Sequence, residues 1–254
     1  MSQYAFGAGT LVGTALSDAY GNVLATPTPI QFGITQDISI DLTSDVKELF
    51  GQFQLPVAVA RGKTKVVGKI KFAQINGFTF NNIFFGQTIV SGQLGEVIAT
   101  SGTAIPTTPF TITPTIPNSG TYLNDLGVID AFGKPMSKVI SGPVTGQYMV
   151  AAGVYTFAAA DVGLLVRISL QYTATSTIAK KLVITNTLMG IAPTFRADIV
   201  IPDPTGKQMI FSLNQCVATK LSLATKLDDF MIPEIDFSCF VDASGTLGTL
   251  GLAE

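Results

Sequence analysis

RGKTKVVGKIKF, residues 61–72, places five of the chain's fifteen basic residues within eleven positions. Read with a period of two, the stretch separates into two faces. Arg61, Lys63, Lys65, Lys69 and Lys71 fall on one face; Val66, Ile70 and Phe72 fall on the other, with Gly62, Thr64 and Gly68. Successive side chains of a strand point to opposite sides, so this is a strand with a solvated lysine face and an apolar inner face. Gly62-Lys63-Thr64 also matches the end of a phosphate-binding loop. That loop needs a glycine where this chain has Val57, and a helix where this chain continues as a strand. The glycines of GAGTLVG, residues 7–13, are likewise one place out of step for a dinucleotide-binding turn.

The same period extends outward. In IQFGITQDISIDL, residues 30–42, Ile30, Phe32, Ile34, Ile38, Ile40 and Leu42 share a face broken only by Gln36. In VATKLSLATKLDD, residues 217–229, Val217, Leu221, Leu223 and Leu227 alternate with Lys220, Ser222, Lys226 and Asp228. In EIDFSCF, Ile235, Phe237 and Cys239 alternate with Glu234, Asp236 and Ser238. These are half-buried strands of antiparallel sheet, and the fold class is all-β. Pairing 30–42 with 62–73 as a hairpin sets Asp37 and Asp41 on the lysine face, where opposite charges help to fix register.

The 254-residue chain has 47% apolar and 13% charged residues and a net charge of −2. A nucleic-acid-binding domain is usually strongly basic, and the lysine face has no aromatic residue on which a base could stack. So little charge leaves Thr, Ser, Gly and Ala to cover much of the surface, which points to burial in an assembly. There is no histidine, so the commonest general base and the commonest catalytic zinc ligand are missing. No catalytic constellation, metal spacing or cofactor signature stands out, and the expectation is a non-enzyme. Cys216 and Cys239 read as small buried thiols. The N-terminus lacks the pattern of a signal peptide, and no apolar run reaches the roughly 18 residues of a membrane span.

Three segments interrupt the strands. TSDVKELFGQFQLPVAVA, residues 43–60, reads as a long loop carrying apolar side chains, a candidate contact arm. INGFTFNNIFFG, residues 75–86, reads as a short aromatic helix ending at glycine. TAIPTTPFTITPTIPNSG, residues 103–120, holds four prolines and reads as a connector. Residues 105–175 then form an inserted β-module, with residues 1–104 and 176–254 as the discontinuous main domain.

The order of alternating strand, long apolar loop, GKTKVVGKIKFAQI, FNNIFFG and the late KLDDFMIPEIDFSCF with DASG resembles the major tail protein, or tail tube protein, of long-tailed bacteriophages. The middle block GQYMVAAGVYTFAAADVG is similar to phage tail sequences as well. The resemblance covers most of the chain and implies a tail-tube β-sandwich with one flanking helix. It further implies a ring oligomer, commonly a hexamer, whose subunits share a continuous inner β-barrel. Such rings stack into the virion's tail tube after assembly in the bacterial cytoplasm and conduct DNA to the host.

The partners implied are other copies of the chain, the tape measure, tail terminator and baseplate or tip proteins, and double-stranded DNA as transient, non-specific cargo. The resemblance makes Asp37, Ser39, Asp41, Lys65, Lys69, Lys71, Lys220, Lys226, Glu234 and Asp236 candidate lumen-facing residues. It makes Lys47, Glu48, Leu49, Phe50, Phe53, Leu55 and Pro56 a candidate inter-ring loop. Six subunits of four strands, at ~4.8 Å spacing and ~40° tilt, give a barrel about 48 Å across, wide enough for duplex DNA. The four polar faces together carry a net charge of +2, or zero if Arg61 and Lys63 lie beyond the sheet.

Two other readings compete. A cell-surface- or carbohydrate-binding β-sandwich would use exposed aromatics of the inserted module, with Tyr122, Phe132, Tyr148 and Tyr155 as candidates. A carboxylate-based hydrolase would rest on Asp228 or Glu234.

Overall fold

A computed structural model describes residues 7–74, 76–202 and 206–252. Among the described residues the regular structure is almost all β-strand, with only short helical turns beside it. The chain divides into two compact units, one of residues 1–89 and 182–254 and one of residues 90–181. The divisions expected from the sequence are 104/105 and 175/176. They move outward because Gln93–Val97 pairs along Leu170–Ala174, which draws residues 93–104 into the second unit.

The first unit is an eight-stranded sheet. Its strands are β1 (Thr10–Ala15), β2 (Pro29–Gln31), β3 (Thr35–Phe50), β4 (Pro56–Phe72), β5 (Thr194–Pro202), β6 (Gln208–Ser222), β7 (Glu234–Phe240) and β8 (Gly248–Leu252). They run in the order β2-β1-β5-β6-β7-β4-β3, with β8 beside the first half of β6. The inner face collects the alternating apolar residues. Ile38, Ile70 and Ile235 lie in one row, as do Ile40, Gly68 and Phe237. Leu11, Phe32, Phe72, Phe195, Ile199 and Leu213 join them in the core. Each such side chain removed from water contributes about 1.5–3 kcal/mol.

Gly68 has a steric reason to be glycine. A Cβ there would overlap the Phe237 ring and stand 2.8 Å from Ile40 Cδ1. The ring, 1% exposed, lies over the β4 backbone and meets Phe195 edge-on at 5.6 Å.

The expected strand 30–42 is two pieces. β2 pairs with β1, and β3 begins only at Thr35. Ile34, placed inward by its period, is 68% exposed with φ 26°. The turn at Gly33-Ile34 carries the chain from one end of the sheet order to the other, so alternation cannot persist through it.

Within the expected helix, Ile75 lies outside the described residues. The rest forms α1 (Gly77–Phe80), capped by the Asn76 side chain accepting from the Phe78 N–H at 2.9 Å, and a π-helical turn, Asn81–Phe85. Gly86 ends it at φ 60°, where an added Cβ would lie 2.6 Å from the Ala19 nitrogen. Ile83 reaches into the core.

The second unit has its own core of Ile105, Val128, Met136, Tyr148, Tyr155, Phe157, Val166 and Ile168. One sheet is ordered around Leu165–Ala174, with Gln93–Val97, Thr103–Ala104 and Thr121–Asp130 on it. The other joins Ser137–Lys138, Gln147–Ala151, Val154–Phe157 and Thr111–Ile112. The proline-rich stretch is therefore more than a connector. It supplies two short strands and the fully buried Ile105, because its prolines fall between the residues that pair.

Candidate functional site

Four neighbouring strands, β6, β7, β4 and β3, put their polar residues on the face opposite the core. The register brings the side chains together row by row. Asp37 stands opposite Lys71, which stands opposite Glu234; Ser39, Lys69 and Asp236 form the next row, and Asp41, Val67 and Ser238 the one after. On the far side, Lys220 faces Asp236 and Ser222 faces Glu234.

Glu234 is the hub of this face. Its Oε1 accepts from Lys69 Nζ at 2.9 Å and Lys220 Nζ at 3.0 Å, and its side chain is only 17% exposed. Hydrogen bonds from Lys69 and then Lys220 hold its carboxyl below the usual carboxylate range, against a smaller upward push from burial. The bond to Glu234 in turn raises the Lys220 ammonium. Lys220 also reaches Asp236 at 3.7 Å, and Lys71 pairs with Asp37 at 3.5 Å.

Four cations (Lys65, Lys69, Lys71 and Lys220) thus share the face with four carboxylates (Asp37, Asp41, Glu234 and Asp236), and the face is neutral. Each half-exposed pair contributes only about 0.2–1 kcal/mol. Their joint effect is a polar surface with no net attraction for a polyanion.

Lys226 does not belong to this face. β6 ends at Ser222, and Lys226 pairs with Asp229 at 3.4 Å in the turn that follows. Val217 also changes sides. A bulge between Ala218 and Lys220 shifts the alternation, setting Val217 on the polar face beside Ser238 while Leu221 stays inward beside Ile235.

The expected long loop is not a loop. β3 and β4 remain paired out to Phe50 and Pro56, with a bulge between Ser44 and Val46, so residues 43–60 are mostly a two-stranded ribbon. Only the short turn between Phe50 and Pro56 links the strands. The segment Thr43–Phe50 extends roughly 27 Å at ~3.4 Å per residue. Arg61 and Lys63 lie on this ribbon, past Val66 where burial of β4 ends. Lys47 and Glu48 are exposed beside Leu49, Phe50, Phe53, Leu55, Pro56, Val57 and Val59, with Phe53 at 74% and Leu55 at 77%. A two-stranded ribbon is marginal in water without cover.

The sheet also has open edges. Among the described residues, β3 pairs with β4 alone, and residues 218–222 of β6 pair only with β7. Both sides of the four-stranded run therefore offer free backbone donors and acceptors to another chain.

In the second unit, Asp125 is the polar centre. Its side chain is 3% exposed and takes Tyr148 Oη at 2.8 Å, Tyr155 Oη at 3.1 Å, Lys138 Nζ at 3.1 Å and the Gly127 N–H at 3.0 Å. Burial pushes its carboxyl up, but these donors outweigh it and hold the group below its ordinary value. Burial raises both tyrosine hydroxyls. Tyr148 and Tyr155 are thus core residues and no surface-binding platform; Phe132, of the same expected set, is 92% exposed.

Asp228 and Glu234, the carboxylates of the hydrolase reading, lie apart in role: Asp228 in the turn after β6, Glu234 tied to two lysines. Period two alone pairs the lysines with Asp37 and Asp41 of β3 and leaves Glu234 unassigned as the partner of Lys69. Its alternation in EIDFSCF carried the signal; the adjacency of β7 to β4 did not show.

No family model and no curated protein matches the chain. Among the described residues, no helix is long and apolar enough to cross a membrane.

Proposed function

We propose that the chain is a structural protein of a bacteriophage tail, whose copies close into rings and stack into the tail tube. The observation that carries this reading is the four-stranded run β6-β7-β4-β3. It combines a charge-balanced outer face with open backbone edges on both sides. Edge-to-edge pairing of such a run from one copy to the next is a head-to-tail contact, which makes a ring when the rotation closes. Six copies would supply the twenty-four strands of a barrel wide enough for duplex DNA, with Asp37, Ser39, Asp41, Lys65, Lys69, Lys71, Lys220, Glu234 and Asp236 toward the lumen. Balanced charge there lets a polyanion slide. The ribbon, with Leu49, Phe50, Phe53 and Leu55, would cover its apolar surface against the adjacent ring. The chain's role is then architectural, with the tape measure, terminator and tip proteins as its further partners.

Negative-stain electron microscopy of the purified full-length protein tests the proposal. Rings or tubes with a central channel are expected. A strict monomer at high concentration, still monomeric when the other tail proteins are added, would overturn it. The lumen assignment has its own test. Lys65→Glu with Lys69→Glu makes the face strongly acidic and should disturb ring assembly or DNA passage; an infectious tube carrying both changes would mean that the face points elsewhere.

A further inference from the structure

Cys216 and Cys239 are both free, and they stand directly opposite each other on β6 and β7 with their sulfurs 3.2 Å apart. Directly opposed residues of an antiparallel pair have Cα atoms about 4.5–5.5 Å apart, inside the roughly 4.4–6.8 Å that a disulfide spans. The two positions differ in access. Cys216 has no exposed surface, whereas Cys239 is half-buried. Neither thiol belongs to the polar face or to any ion pair of the sheet.

We propose that this pair is a redox modification site, at which a peroxide converts the two thiols into a reversible cross-strand disulfide. With hydrogen peroxide the atoms balance as follows. The Cys239 thiolate attacks one peroxide oxygen, the O–O bond breaks, and the departing hydroxide takes a proton to become water. The resulting Cys239 sulfenic acid is attacked by the Cys216 sulfur, the S–O bond breaks, and a second water leaves with the Cys216 proton. Two thiols are oxidised by two electrons and one peroxide is reduced. The Cys216 S–H donates to the Cys239 sulfur. That bond lowers the Cys239 thiol, while together with burial it raises Cys216, so the more accessible sulfur is the attacking one. The product ties β6 to β7 across 23 positions of chain. This chemistry belongs to the single chain and holds whether or not copies assemble.

The test uses the reduced full-length protein, exposed to hydrogen peroxide in its folded state and then unfolded in denaturant with iodoacetamide. Intact mass should show two hydrogens lost and no label taken up. Peptide mapping should recover a fragment joining residues 216 and 239, and dithiothreitol should restore both labels. The oxidised form should melt higher by roughly 5–10 °C. In Cys239→Ser, Cys216 should keep its label after peroxide; in Cys216→Ser, Cys239 should stop at a sulfenic acid that dimedone traps. Continued labelling of both cysteines in the unsubstituted protein would overturn the proposal. So would a cross-link between two chains, or equally fast oxidation of Cys216 in Cys239→Ser.

Discussion

Gly68→Ala and Phe237→Ala, alone and together, test whether the β3-β4-β7 register is what builds the core. The Gly68 Cβ would overlap the Phe237 ring and crowd Ile40. Overpacking of this kind costs about 1–3 kcal/mol. It is offset in part by the ~0.4–1 kcal/mol gained from a stiffer unfolded chain. Removing the buried ring costs about 3–5 kcal/mol, including the loss of its edge-on contact with Phe195. The added methyl then occupies part of the space that the ring vacates, and the clash is gone. The double variant should therefore be more stable than the sum of the single effects by at least ~1 kcal/mol. Urea unfolding followed by circular dichroism, with linear extrapolation, measures all three. Gly77→Ala, where an added Cβ meets nothing within 4 Å, is the control and should change little. Additivity within ~0.5 kcal/mol would mean that the two positions do not touch, and the register would be wrong.

Three further outcomes are expected. The Glu234 carboxyl is depressed in the fold, so its stabilisation is fully present above its unfolded value near ~4.3 and lost as pH falls below it. Glu234→Gln should flatten the decline in melting temperature between about pH 5 and 3, and an unchanged slope would refute the two-lysine hub. Asp125→Ala strands the Tyr148 and Tyr155 hydroxyls in the second unit's core and should destabilise that unit by roughly 2–4 kcal/mol. Asn should cost less there, with tyrosine fluorescence as the readout. Replacing Phe50, Phe53 and Leu55 together by Ser should leave stability within ~1 kcal/mol, because all three side chains are solvated. Self-association by sedimentation velocity should weaken, and wild-type assembly would show that the ribbon is not the contact.

Much of the sheet was legible because one face is buried. Ile70 and Phe72 inward, Lys69 and Lys71 outward, and the whole of EIDFSCF follow from period two alone. The ribbon was illegible for the same reason. With no core on either side, nothing forces Lys47, Glu48, Leu49 and Phe50 to alternate, and eighteen unpatterned residues read as a loop. Lys226 shows the opposite error: alternation continues past Ser222 in the letters, but the chain has already turned toward Asp229. Glu234 beside Lys69 depends on β7 lying next to β4 across some 160 residues of chain, which no local pattern encodes. The two facing cysteines became visible only once β6 and β7 were in register.

The β3–β4 ribbon and the core of the first unit share the same two unbroken strands, and this has a mechanical consequence. A pull on the tip, directed along the strands, cannot peel the ribbon open. It loads the ladder between β4 and β7, from Val66 to Lys71, in shear, so that its hydrogen bonds must yield together. A sideways push meets only the bulge between Ser44 and Val46 and bends the ribbon there. The first unit's sheet is thus stiff to tension along this axis and compliant across it. In the proposed tube, a column of such contacts would flex without coming apart.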